Sequence, residues 1–191
     1  FFERKEVKDI ISYLRAALNS DSLSDQRRII NVPARGIGKT TALKIFSGQE
    51  NGLPSVMKIK IINFRNLLKE IKEVSKEKKP SETISFIIKK TGLEQEWHSG
   101  KEEGVARLEN AYELSNFASR YDHEAPEEGI LNFLADAALQ SDQDEMKDEE
   151  KAVHLMTVHA SKGLEFNIVF IAGLEDGLFP ARLRQSAAMA G

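Results

Sequence analysis

Apolar positions return every three to four residues through most of the chain, the period of a helix with one buried face. Val7, Ile10, Ile11, Leu14 and Leu18 predict a first helix over residues 5–18, which Asn19-Ser20-Asp21-Ser22 ends. Ser24 is placed to cap a short helix running through Ile30, and Pro33 stops that element. Arg35-Gly36-Ile37-Gly38 then makes a tight turn into another helix from about Thr40, followed by a loop at Asn51-Gly52-Leu53-Pro54. Further helices are expected over roughly 61–75, 81–91 and 103–121. Their stripes are Ile62, Leu67, Leu68, Ile71 and Val74, then Ile84, Ile87 and Ile88, then Val105, Leu108, Tyr112, Leu114 and Phe117. Pro126 suits the first turn of a last helix, with Glu127 and Glu128 at its positive end. Ile130, Leu131, Phe133, Leu134, Ala138 and Leu139 form its apolar side, and Trp97 reads as core.

The pattern changes near residue 150. Residues 153–158 and 167–172 are short, β-branched and apolar, and read as interior strands of a parallel sheet. Two strands cannot form that sheet alone. The helix over 5–18 is expected to pack on it, so the helical stretch from about 24 to 148 would be an insertion in a small α/β domain. The predicted fold class is a predominantly α-helical insertion domain joined to an incomplete α/β domain.

Composition narrows the possibilities. The 191 residues suffice for one large domain or two small ones. The absence of cysteine removes disulfides, thiolate ligands and thiol nucleophiles. No apolar run reaches membrane-spanning length and no secretory leader is visible, so a cytoplasmic protein is expected. Phe1 is not an initiator residue, and the chain is expected to begin mid-sequence. The net charge of -3 hides a segregation: residues 58–79 hold eight basic residues against three acidic ones, and 141–150 hold six acidic residues and one lysine. Both runs suit a solvated face or a linker, and the basic one can also track phosphates.

Gly36-Ile37-Gly38-Lys39-Thr40 invites a phosphate-loop reading, but that motif needs a glycine where Pro33 stands. Proline removes a donor and fixes φ in a loop that needs both donors and freedom. The preceding residues read as helix, and no acidic residue ends an apolar strand to hold magnesium. A structural hairpin is one alternative. Another is a turn whose backbone approaches a phosphodiester, with helix-start amides and Lys39 holding an anion independently of base sequence. Arg35 could reach the same backbone or be solvated.

The second candidate is the polar strand exit Thr157, His159, Lys162, Gly163 and Glu165, since α/β proteins place their chemistry at strand ends. Three segments taken together resemble superfamily 1A DNA helicases of the UvrD/PcrA/Rep type. They are Phe1-Phe2-Glu3-Arg4-Lys5-Glu6 with Val7-Lys8-Asp9, Ile29 to Gly38 with Thr41, and Leu155 to Phe166, which resembles the family's motif V. Gly173, Glu175, Gly177, Phe179 and Pro180 agree as well, as do Arg107-Leu108-Glu109-Asn110 and Glu113-Leu114. Ala181 stands where the family usually has histidine after Phe-Pro, and Lys39-Thr40 is not a fixed feature of its Gly-Ile-Gly segment.

The resemblance implies that residues 1–22 and 150–191 are parts of a truncated RecA-like (P-loop NTPase-type) domain, 2A. Residues 23–149 would be its helical insertion, 2B. It implies a fragment of an ATP-dependent 3′-to-5′ DNA helicase acting on single-stranded and duplex DNA without base specificity, with repair or replication proteins as further partners. Arg35, Gly36, Ile37, Gly38, Lys39 and Thr40 would contact duplex backbone. Thr157 and His159 would face single-stranded DNA, with Arg4 as a third candidate whose alternative is a helix-start ion pair. Gly163 and Glu165 would face nucleotide, Glu165 at the ribose, with Lys162 either orienting the loop or lying near phosphate. ATP and Mg2+ would belong to the intact parent protein. The remaining motor motifs would lie before Phe1 and after Gly191, so the fragment holds no complete catalytic set or metal site and is expected neither to bind ATP tightly nor to hydrolyse it. The alternative is an isolated helical DNA-binding or protein-docking regulatory module. A standalone NTPase is the third reading, which Pro33 argues against.

Overall fold

A computed structural model describes residues 1–147, 155–157, 161 and 164–172. It divides into two compact units, 1–152 and 153–191. The first is all helix: α1 (Lys5–Leu18), α2 (Leu23–Ile29), α3 (Lys39–Phe46), α4 (Ser55–Glu77), α5 (Pro80–Lys90), α6 (Leu93–His98), α7 (Lys101–Ala118) and α8 (Pro126–Lys147). Single 3-10 turns lie at Glu50–Gly52 and Ser119–Tyr121. Among the described residues no helix is long and apolar enough to cross a membrane.

Helix α1 is the hub of this unit. Val7, Ile10, Tyr13 and Leu14 are fully buried, and the helix packs against α2, α4, α5 and α7. Its apolar face packs on neighbouring helices, and the sheet expected beside it is not seen among the described residues. Around it Ile71, Ile84, Ile87, Ile88, Leu93, Leu114 and Phe133 fill the core. At the far end Phe117 lies between Phe2 and Phe133, at ring-centroid distances of 5.1 and 6.0 Å. Edge-on and tilted aromatic pairs of this kind bury large area while matching ring quadrupoles.

Polar stitches hold the helix ends. Asp122 accepts from the Ser81 amide at 3.0 Å and from its hydroxyl at 2.6 Å, which satisfies a donor at the start of α5. Ser115 Oγ donates to Ser81 O at 2.9 Å, joining α7 to the same end. Asp9 is buried and pairs with Arg28 Nε at 2.7 Å, tying α1 to α2. Burial raises its carboxyl above the usual range, and Arg28 only partly offsets that.

Several helices differ from their expected faces or lengths. Helix α4 starts at Ser55, six residues before the expected start, because Pro54 leads directly into it. On it Ile61 and Phe64 are buried while Ile62 is 52% exposed. On α7 Val105 and Tyr112 face outward, and Ala111, Ser115 and Ala118 take the inner face. Small residues carry that face because the helices come close there. A β-carbon on Gly104 would run into the carbonyl oxygen of Trp97 at the end of α6. Helix α6, whose six residues are too few to show a period, buries Leu93 and Trp97.

In the second unit the expected strands at 153–158 and 167–172 are not formed among the described residues. Ladder hydrogen bonds require a neighbouring strand, and no strand occurs among the described residues. Ile168, Val169 and Phe170 are accordingly exposed, Phe170 at 92%. The helical part of the predicted fold class is therefore what the described residues show.

Gly104→Ala isolates the close contact of α6 with α7. Alanine favours a helix interior by about 1 kcal/mol over glycine, yet overpacking a tight contact costs about 1–3 kcal/mol. Chemical denaturation should show a net loss of stability. A gain would mean the helices have room there.

Candidate functional site

The segment between α2 and α3 is fixed from three sides. Asn31 Oδ1 accepts from the Arg35 amide at 2.8 Å and the Ile37 amide at 3.1 Å, folding the chain back on itself. The Val32–Pro33 peptide is cis. Ile37 is 2% exposed and plugs the loop into the core. Gly36 takes φ +70°, a left-handed conformation that side chains resist.

Arg35 turns inward. Its Nη1 donates to the carbonyls of Val32 at 2.9 Å, Ile29 at 3.2 Å and Pro33 at 3.2 Å. Its Nη2 donates to Tyr13 Oη at 2.5 Å and to Thr91 O at 3.4 Å. The guanidinium carbon lies 5.7 Å from the ring centroids of both Tyr13 and Phe64. The Tyr13 hydroxyl in turn donates to Val32 O. Burial pushes that phenol up to about 12, with Arg35 opposing the shift.

The six residues grouped as duplex contacts thus divide. The side chains of Arg35 and Ile37 face the protein, whereas Gly36, Gly38, Lys39 and Thr40 are exposed. The inward turn of Arg35 has a plain cause: carbonyls and aromatic faces within reach satisfy a planar donor set better than a solvated turn does. Gly38 stands at the N-cap of α3 with no side chain to accept from the first-turn amides. Those amides and Lys39 face outward together.

Sequence reading had placed Lys60 only within the basic 58–79 run that could track phosphates, without a position against the turn. A β-carbon built on Gly36 would lie 2.7 Å from Lys60 Nζ, so this α4 ammonium rests on the turn. Four residues on, Phe64 meets Arg35, and residues four apart share a helix face. The unusual charge balance was readable: nine basic residues and a single acid, Glu50, lie between 26 and 69. Arg65 holds that acid, with Nη1 to Oε2 at 3.0 Å.

Arg4 is exposed, and it donates to Asn110 Oδ1 rather than joining a helix-start ion pair. Asn110 Nδ2 donates to the buried Glu6 at 2.5 Å. Two of the quoted segments, a hundred residues apart, are thereby sewn together.

In the second unit Thr157 and Glu165 are exposed, and successive turns link them: Ser161 N donates to Thr157 O at 3.1 Å and Leu164 N to Ser161 O at 3.0 Å. His159, Lys162 and Gly163 lie outside the described residues. Among the described residues no group of three acidic, histidine or cysteine side chains is placed to hold a metal ion.

The sequence profile of the family described as UvrD-like helicase C-terminal domain matches residues 1–189. The ATP-dependent DNA helicase PcrA of Staphylococcus aureus is 36% identical over 201 residues, covering 94% of this chain and 27% of that protein. The same named protein of Staphylococcus epidermidis is 36% identical over 198 residues, with the same coverage. The chain thus spans about a quarter of the length of these curated relatives.

The Tyr13–Arg35 pair makes a test of how the loop is held. A phenol ionising near 10 when unfolded and near 12 when folded stabilises the fold fully below pH 10. That stabilisation is lost as pH rises through the interval to 12. Tyr13→Phe should cost about 1–3 kcal/mol at neutral pH by taking from the Arg35 guanidinium its nearest acceptor. Denaturant midpoints should also fall less steeply with alkaline pH in the variant than in the parent.

Proposed function

The chain belongs to the UvrD-like helicase C-terminal domain family, and from that premise we propose that it forms part of an ATP-dependent DNA helicase translocating 3′ to 5′. The observation carrying this reading is the match across 1–189, joined to a rigid turn that presents glycine backbone, helix-start amides and a lysine on one surface. Gly36, Gly38, Lys39, Thr40 and the Ile37 backbone contact duplex phosphates without reading bases. Arg35 serves that contact from behind by holding the turn.

Residues 1–22 and 150–191 belong, in this reading, to a RecA-like α/β domain whose other strands the longer protein supplies. Residues 23–149 are the helical insertion. Segments 153–158 and 167–172 pair as strands when neighbours are present, which would cover the apolar side chains now exposed. Thr157 and His159 then face single-stranded DNA through phosphate contacts, and Gly163, Glu165 and Lys162 face the nucleotide. For Arg4 the bond to Asn110 supports a structural role beside the DNA-contact reading. ATP with Mg2+ is bound by the intact helicase, in the cytoplasm, with DNA as its main partner.

Phosphoryl transfer needs several converging charges, and this chain supplies one wall of such a cleft. Purified 1–191 should therefore release no phosphate from ATP in the presence of DNA. Turnover abolished by Lys39→Ala would overturn the assignment. Duplex binding should weaken steeply with salt, and Lys39→Ala should reduce the slope of log affinity against log salt by about 1. Salt-independent binding would remove the phosphate reading.

A further inference from the structure

We propose that Lys60 of α4 is a second cation contacting the duplex backbone at the Gly36 turn. The inference rests on the reading of that turn as a backbone contact, and it assigns to a neighbouring helix a charge first ascribed to Arg35.

Four observations carry it. Lys60 and Phe64 lie one helical turn apart on α4 and meet consecutive residues of the loop, Phe64 the Arg35 guanidinium and Lys60 the Gly36 α-carbon. The ammonium is thereby set by the helix rather than by a free side chain. Gly36 is exposed and has no side chain, so nothing of its own separates Lys60 from a ligand on the turn.

Lys60 is half-buried, yet among the described residues its ammonium has no carboxylate or carbonyl partner. Arg35 beside it is surrounded by neutral acceptors, so its charge is solvated by the protein without being neutralised. Lys39 likewise has no acid partner among the described residues. Three cations thus lie at one turn, and Glu50, the one acid between residues 26 and 69, is taken by Arg65. Such a concentration repels itself until an anion binds. A polyanion backbone, whose phosphates can engage two ammonium groups at once, matches it better than a single small anion does.

The position also explains the glycine. A side chain at 36 would require strained backbone and would displace the Lys60 ammonium.

The test is duplex binding by the full 191-residue chain across a salt series, for the parent, Lys60→Gln, Lys60→Arg and Lys39→Ala, with thermal melting of each. Lys60→Gln should weaken binding about tenfold at low salt and lower the salt slope by about 1. Its melting temperature should stay at the parent's, and Lys60→Arg should keep the parent's slope. If Lys39→Ala weakens binding while Lys60→Gln leaves affinity and slope alone, Lys60 is not a ligand and the turn reading survives. An affinity loss with an unchanged slope, or with a lowered melting temperature, would make Lys60 a structural support and overturn the proposal. If neither lysine matters, or the parent does not bind duplex, the reading of the turn falls with it.

Discussion

A guanidinium that faces the protein must find acceptors for a fixed, planar set of donors, and five lie within reach of Arg35. Two are the loop carbonyls of Val32 and Pro33, one is the carbonyl of Ile29 at the end of α2, one is the Tyr13 hydroxyl of α1, and one is the carbonyl of Thr91 at the C-cap of α5. Aromatic faces from α1 and α4 cover what remains. One side chain therefore joins the loop to four helices, and the loop cannot shift without breaking several charge-assisted bonds together. A carboxylate would have done the pairing more cheaply. Neutral acceptors leave the charge in place, and the turn stays electropositive.

This arrangement gives the exposed side of the loop its character. Asn31 and Ile37 fix the backbone from below, so Gly36 and Gly38 present their peptide groups with little entropy left to lose on binding. Helix α3 begins immediately beyond, and α4 brings its lysine from the side. On the proposed reading the contact surface is assembled from loop, helix start and neighbouring helix, with its rigidity drawn from Asn31, Arg35 and Ile37 behind it.

Much of the helical fold was legible. The stripes on α1 and α5 were legible because Val7, Ile10, Ile11 and Leu14, and then Ile84, Ile87 and Ile88, recur at helical spacing and are buried. Helix α7 was harder: its inner face uses Gly104, Ala111, Ser115 and Ala118, residues whose size matters more than their hydropathy. Val105 and Tyr112 look like core in the sequence and lie outside. Helix α6 was too short for a period. The direction of Arg35 could not be read at all, since neither Tyr13 nor Phe64 is near it in sequence and neither lay on the apolar stripe expected for its helix. Lys60 was hidden in a run of lysines, where only its register with Phe64 distinguishes it.

The polar and charged groups of the helical unit also prove to be of two kinds. Arg4, Glu6 and Asn110 form a hydrogen-bonded chain across a hundred residues, Asp9 meets Arg28, and Arg35 meets Tyr13. These polar groups are consumed inside the protein, and a ligand that used them would have to break the fold's own bonds. Lys39 and Lys60 stand in the opposite condition, charged and close to backbone, with no acid to answer them among the described residues. Shared motif chemistry thus records the cost of holding a shape as often as it records contact. The groups left unsatisfied after the shape is built are the better guide to what the surface binds, and here those groups are cations on a turn.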